Sequence, residues 1–202
     1  ISGSVVLMLF HSLLYLYLFL PCVLVGIIAI RPKGSTTGVQ LWLIAASLFF
    51  YAWWNPAYLW ILLLSAGINF FVSTVLSNRT LIAGITFNLL LLGYFKYVNF
   101  FVDSINVGLE TSFTLEKIIL PLAISFFTFQ QIAYLVDLHR GEVTRQKFIP
   151  YLFFVTFFPQ LLAGPIVRHC DIFPQIAKKT FGTLTSKNII LGLSILSIGL
   201  FK

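Results

Sequence analysis

Charged residues are scarce in this chain of 202 amino acids. Asp, Glu, Lys and Arg make up 9% of it, whereas hydrophobic residues make up 59%. A soluble globular domain carries about 25% charged residues, so this composition excludes an ordinary water-soluble fold. The mean hydropathy of +0.98 indicates apolar segments whose natural solvent is a lipid bilayer.

Cysteine and the common catalytic motifs are also scarce or absent. The two cysteines, Cys22 and Cys170, are too few for a disulfide framework. The sequence contains no Walker loop, no dinucleotide fingerprint, no nucleophile motif and no pair of ligands at metal spacing. We therefore predict no metal and no bound cofactor. The net charge of +7 comes from short loops between apolar runs and not from one basic stripe, so we predict no nucleic-acid partner.

Long apolar runs occupy most of the chain. A transmembrane helix needs about 20 consecutive apolar residues. Runs near this length, two of them shorter, cover 9–30, 39–54, 57–77, 81–102, 118–138, 148–166 and 188–202. We predict an all-α polytopic membrane protein with about six or seven hydrophobic helices, one of them re-entrant or broken.

Positive charge in the connecting loops predicts the orientation, because cytoplasmic loops carry an excess of Lys and Arg. Loops 31–38, 78–80 and 139–147 are positive, so we place them inside. Loop 103–117 carries more acidic than basic residues, which suits the outside. These assignments alternate across the first five runs and put the N-terminus outside.

The sixth run, 148–166, breaks this alternation. A full crossing would put loop 167–187 outside, although that loop is strongly positive. Pro159 removes a helical hydrogen bond, and Gly164-Pro165 adds a second break. The run is therefore either a re-entrant or broken helix at an internal cavity, where irregular backbone is tolerated, or a kinked helix that crosses fully.

Polar side chains recur at every third position of the fifth run. On a helix of 3.6 residues per turn they form a slanting ladder, made of Ser125, Thr128, Gln131, Tyr134 and Asp137. Gln130 lies on the same general side as Asp137. Polar groups inside a membrane face protein or water. The ladder predicts either hydrogen bonds between helices, the simpler interpretation, or the wall of a polar path.

Four stretches together resemble the membrane-bound O-acyltransferase family, and most of all its alginate O-acetylation proteins. They are LIAASLFFYAWWNP (43–56), LGYFKYVNFFVDSIN (92–106), ILPLAISFFTFQQIAYLVDLHRGE (119–142) and FFPQLLAGPIVRHCDIFPQI (157–176). Their order and spacing match the family across nearly the whole chain.

The resemblance implies that residues 1–202 are the N-terminal part of a single transmembrane domain, whose helices form a ring around a thin inner layer. We accordingly expect the chain to be truncated at its C-terminus. We also expect residues 1–7 to be a non-native leader, since Met8 begins a stretch that resembles a natural start. The broken sixth run would belong to the inner layer.

Family members transfer an acyl group to a hydroxyl. The resemblance implies part of an O-acyltransferase of the bacterial inner membrane that adds acetyl groups to an exported polysaccharide such as alginate. Its expected partners are the lipid bilayer, acetyl-CoA or another acyl thioester as donor, a periplasmic or extracellular acetylation partner protein and the polysaccharide acceptor. The alternatives are a relative with another acceptor, of the teichoic acid D-alanylation type, a transporter built on the polar ladder, and a non-catalytic membrane subunit.

The family's catalytic histidine follows a tryptophan, and none of His11, His139 and His169 does. We therefore assign no catalytic residue and expect this part to be inactive alone. As candidates for the inner wall or the substrate path we choose residues of the broken run and of the helix before it: Gln160, Gly164, Pro165, Arg168, Ser125, Gln130 and Asp137.

Overall fold

The computed structural model describes residues 12–31, 35–108, 118–163 and 169–201, and every regular element in those ranges is helical. A π-helical turn (Tyr15–Phe19) leads into α1 (Leu20–Ile30), and a 3-10 turn (Pro56–Tyr58) precedes α3. The other helices are α2 (Thr36–Trp54), α3 (Leu59–Thr74), α4 (Asn78–Gly108), α5 (Ile124–His139), α6 (Phe148–Thr156), α7 (Phe158–Ala163), α8 (His169–Ala177) and α9 (Ser186–Phe201).

Three of the described helical segments are long and apolar enough to cross a membrane: Thr36–Trp54, Pro56–Thr74 and Asn78–Asn106. The segments Tyr15–Ile30 and Ser186–Gly199 are shorter but also apolar. The prediction of an all-α membrane protein is confirmed. The helices stay helical in lipid because each satisfies its own backbone hydrogen bonds.

Small polar side chains cap the N-termini of two helical segments at the start of apolar runs. The Ser35 hydroxyl accepts the N–H of Gly38 at 2.8 Å at the start of α2, and the side chain of Asn55 accepts the N–H of Ala57 at 2.9 Å after Trp54. Both are N-caps, which satisfy N–H groups that have no partner within the helix. The WWNP stretch is thus a capped turn between two spans.

The helix of the fifth run is shorter than the run itself. Residues 118–123 are irregular, and α5 begins only at Ile124, after Pro121 and after Ala123, which has a positive φ of 58°. The side chain of Asn99 binds both the N–H and the carbonyl of Ile118, at 3.1 and 2.7 Å. This amide compensates for the helical bonds that the irregular entry lacks.

Close packing joins α1 to α2 and α2 to the broken run. The indole of Trp42 covers Gly26 and donates to the carbonyl of Val23 at 3.0 Å, and a Cβ on Gly26 would lie 2.2 Å from the ring. Further along, Phe158 contacts the rings of Phe19 and Phe50 at 5.2 and 5.3 Å between centroids. These contacts place the start of α7 in the core.

Several loops share one end of the helix bundle. Arg31 donates to the carbonyl of Lys179, and Arg145 donates to the carbonyl of Thr74 at 3.3 Å. Residues 142–146 and α8 line one groove. The loop with Arg145 therefore lies close to the C-terminal end of α8, which leads into the loop with Lys179. Eight cationic residues lie in these loops or within a few residues of them: Arg31, Arg79, Arg140, Arg145, Lys147, Lys178, Lys179 and Lys187.

Candidate functional site

The sixth run is broken at Phe157. α6 ends at Thr156 and α7 begins at Phe158, and between them Phe157 turns out of the helix with ψ of 108°. Pro159 is the cause in the sequence, because its ring has no N–H and would clash with the carbonyl of Val155 in a continuous helix. The broken helix expected at this run is therefore present.

The break separates a donor and an acceptor that a continuous helix would pair, and side chains from two other helices bind them instead. In a continuous helix the N–H of Phe158 would bond to the carbonyl of Phe154. Here that carbonyl accepts from Nε2 of Gln130 at 3.0 Å, and the N–H donates to the Ser47 hydroxyl at 3.2 Å. The hydroxyl in turn donates to the carbonyl of Leu43 at 2.7 Å. The interruption is thus supported on both sides.

The chain returns after α7. A continuous helix would separate Phe154 and His169 by about 22 Å at 1.5 Å per residue. Their rings instead lie 6.1 Å apart between centroids, and Phe154 also contacts Phe173 at 5.2 Å. α8 therefore packs beside α6, so the chain turns back after α7. Of the two alternatives for 148–166, the geometry favours the re-entrant one.

The return brings together two polar residues of different helices. Nε2 of His169, the first residue of α8, lies 2.9 Å from Oδ2 of Asp137 near the end of α5. The His169 side chain is 3% exposed and that of Asp137 is 23% exposed. The rings of Tyr134 and Phe173 pack against the imidazole. A nearly buried imidazole thus faces a carboxylate that water still reaches.

The middle of the polar ladder serves packing between helices. Nε2 of Gln131 donates to the Ser65 hydroxyl of α3 at 3.2 Å, and the Tyr151 hydroxyl of α6 donates to Oε1 of Gln131 at 3.3 Å. All three side chains are buried. For Gln131 the interpretation as interhelical bonding is correct.

Three buried polar atoms around the broken helix have no hydrogen-bond partner in the described part of the chain: Oγ1 of Thr128, Oε1 of Gln130 and Nε2 of Gln160. Buried polar groups are nearly always paired with protein or water. The hydroxyl and the carbonyl oxygen can accept, and the hydroxyl and the amide nitrogen can donate. These helices therefore offer both donors and acceptors to water or to a polar group of a substrate.

The candidate residues chosen from the sequence have different positions. Gln130 supports the break, and Asp137 contacts His169 two turns further along α5. Gln160 is buried in α7 at 7% exposure, whereas Ser125 is half-buried in the first turn of α5. The remaining candidates, Gly164, Pro165 and Arg168, lie outside the described residues. The substrate-path role of all seven stays a prediction.

Two residues of the site were missed from the sequence. Ser47 is a single small polar residue in the apolar stretch LIAASLFF. That stretch predicts a helix at Ser47 but gives no sign of its hydrogen-bond partner. His169 lies shortly after the sixth run, and its burial depends on the packing of α8 beside α6. Among the residues that the structure describes, no group of three His, Cys, Asp or Glu side chains could hold a metal ion.

Known proteins resemble the chain over most of its length. A peptidoglycan O-acetyltransferase of Helicobacter pylori is 39% identical over 96% of this chain and 44% of its own length. A probable alginate O-acetylase of Pseudomonas aeruginosa is 38% identical over 86% of this chain and 35% of its own length. The corresponding protein of Azotobacter vinelandii is 36% identical over 86% and 37%. No protein-family model and no solved structure matches the chain.

The chain spans only 35–44% of the length of these relatives. That it corresponds to their N-terminal part, and that it lacks the catalytic histidine, stay predictions. The family expected from the four sequence stretches is confirmed by these relatives, which are named for O-acetylation. Over the part of those relatives that it covers, the chain belongs to the membrane-bound O-acyltransferase family.

Proposed function

We propose that this chain is part of an enzyme that transfers acetyl groups to hydroxyls of an exported polysaccharide. The observation that carries the proposal is the similarity, over 86–96% of the chain, to proteins named for O-acetylation of peptidoglycan and of alginate. Both acceptors are glycans with free hydroxyls. The described helices would supply the broken inner segment of that enzyme.

The polar groups at the break support this role. Acyl transfer in a membrane needs a site that is polar, held rigidly and shielded from bulk water. The unpartnered atoms of Gln130 and Gln160 are buried beside a helix whose interruption is itself supported by hydrogen bonds. We propose that acetyl-CoA or another acyl thioester is the donor, and that a periplasmic or extracellular protein receives or completes the transfer.

The distribution of charge supports a placement of the chain in the membrane. The end of the bundle that carries Arg31, Arg145 and Lys179 has a large excess of basic residues. Because basic loops stay in the cytoplasm, we propose that this end faces the cytoplasm of a bacterial inner membrane. The start of α1 would then lie outside.

Deletion of the gene that encodes this chain, followed by complementation, tests the proposal. Ester-linked acetate should be measured per sugar on the exported polysaccharide and on peptidoglycan. We expect acetate per sugar to fall to background on one of them and to return on complementation. Complementation with Gln160→Ala should restore less acetate than Gln175→Ala, a matched glutamine that is exposed on α8.

Other outcomes separate the alternatives. If the amount of exported polymer fell while acetate per sugar stayed constant, the transporter would replace the acyltransferase. If an ester-linked D-alanine disappeared instead of acetate, the acyl group of the proposal would be wrong. Unchanged acylation and unchanged export in the deletion strain would overturn both readings.

A further inference from the structure

The N-terminus of α8 is attached to the rest of the molecule by a contact between polar side chains. Nε2 of His169 and Oδ2 of Asp137 approach to 2.9 Å. The other end of α8 has separate attachments: Nε2 of Gln40 donates to the carbonyl of Ile176 at 3.2 Å, and Arg31 donates to Thr183 beyond the helix at 3.2 Å. Each end of the helix can therefore be tested separately.

The contact between His169 and Asp137 is electrostatic as well as steric. A nearly buried imidazole requires a polar partner, because burying such a group without one is costly. Asp137 supplies this partner from another helix, and its partial exposure keeps the carboxylate hydrated. Beside the pair, a groove of about 500 Å³ opens between residues 142–146 and α8. The pair thus lies where the broken segment meets the charged end of the bundle.

We propose that Asp137 and His169 are positioning residues for acyl transfer. Their contact keeps α8 against α5 and α6, and α8 in turn covers Phe154, the residue whose carbonyl Gln130 binds at the break. Loss of the contact frees the N-terminal turns of α8 and loosens the broken helix beneath them. The positioning role rests on the proposed acetyl transfer. The attachment of α8 by the contact between Asp137 and His169 does not depend on any activity.

Hydrogen exchange and kinetics of the complete protein in lipid nanodiscs test the two halves separately. Asp137→Asn is the decisive variant, because it keeps the shape of the side chain and removes its charge. We expect about a tenfold faster exchange of the α8 amides and about a tenfold lower kcat with little change in the donor KM. His169→Gln, which can keep a nitrogen near the position of Nε2, should retain more of both properties than His169→Ala. Asp103→Asn, which removes an exposed carboxylate on α4, should change neither.

Each contrary result has a defined meaning. Wild-type exchange of α8 in both Asp137→Asn and His169→Ala would overturn the attachment itself. Faster exchange with unchanged kcat would overturn the positioning role. Additive effects in the double variant Asp137→Asn/His169→Ala would show that the two residues act separately and would also overturn the proposal. If wild-type protein transferred no acetyl group, the proposed function would fail while the exchange result still decided the attachment.

Discussion

The Ser47 hydroxyl in α2 accepts the N–H of Phe158 at the start of α7, at 3.2 Å and across 111 positions of sequence. Both residues are buried, at 1% and 3% exposure. The bond replaces the one that Phe158 loses when the helix breaks at Phe157. The interruption of the sixth run is therefore built jointly by Pro159 and by a side chain from a distant helix.

Replacement of Ser47 by Ala should destabilise the fold by about 2 kcal/mol, because it leaves the N–H of Phe158 buried without a partner. Unfolding of the detergent-solubilised protein by SDS titration measures this free energy. Ser194→Ala is the control, since its exposed hydroxyl donates to the carbonyl of Ile190 within the same helix, α9. This substitution should cost less than about 0.5 kcal/mol. Equal effects of the two substitutions would contradict the role given to Ser47.

Gln130→Leu should destabilise the protein by about 1–2 kcal/mol, because the carbonyl of Phe154 loses its donor while it stays buried. The substitution also removes the unpartnered Oε1, so acetyl transfer by the complete protein should fall further than stability alone explains. Unfolding and transfer should be measured on the same preparation. Gln175→Leu, on the exposed face of α8, is the control, and a transfer loss as large in it would remove the argument for Gln130.

Asn69 of α3 and Asn88 of α4 form a reciprocal amide pair inside the membrane. Each Nδ2 donates to the Oδ1 of the other, at 3.1 and 2.6 Å, and both residues are fully buried. A double-mutant cycle with Ala at both positions should give a coupling energy of about 1 kcal/mol. A parallel cycle of Asn69 with the exposed Asn188 should be additive. A coupling of zero between Asn69 and Asn88 would mean that each amide finds another partner.

The return of the chain predicts the side from which a new thiol reacts. In a background with Cys22→Ser and Cys170→Ser, single cysteines can replace Thr144, Lys178 and Ser104, all of which are exposed. Thr144→Cys and Lys178→Cys should react with a membrane-impermeant maleimide from the cytoplasmic side. Ser104→Cys, in the last turns of α4, should react from the opposite side.

The matched pair in this experiment is Thr144→Cys and Lys178→Cys, which flank the sixth run. Labelling of Lys178→Cys together with Ser104→Cys, and apart from Thr144→Cys, would mean that the run crosses the membrane fully. Labelling of all three positions from one side would overturn the placement of α4.

Elementary physical chemistry of the sequence predicts most of the architecture. Long apolar runs favour lipid as solvent. Within a single run in lipid, a helix pairs the backbone N–H and carbonyl groups with one another. Pro159 predicts the break to within two residues of Phe157, because the missing N–H acts locally. The basic loops predict one charged end, and the structure places the loops with Arg31, Arg145 and Lys179 there together. The same reasoning was less accurate for α5, where Pro121 and Ala123 delay the helix to Ile124.

The sequence by itself therefore determined the solvent, the helices, the break and the family. Only the tertiary structure decided which groups support the break and where the chain goes after it. Ser47 and Phe158, or Asp137 and His169, are brought together by the packing of whole helices. A local pattern reports backbone geometry over a few residues, whereas such contacts depend on the sum of many weak packing terms across the bundle. For that reason the sequence predicted Asp137 as a site residue but did not predict its partner.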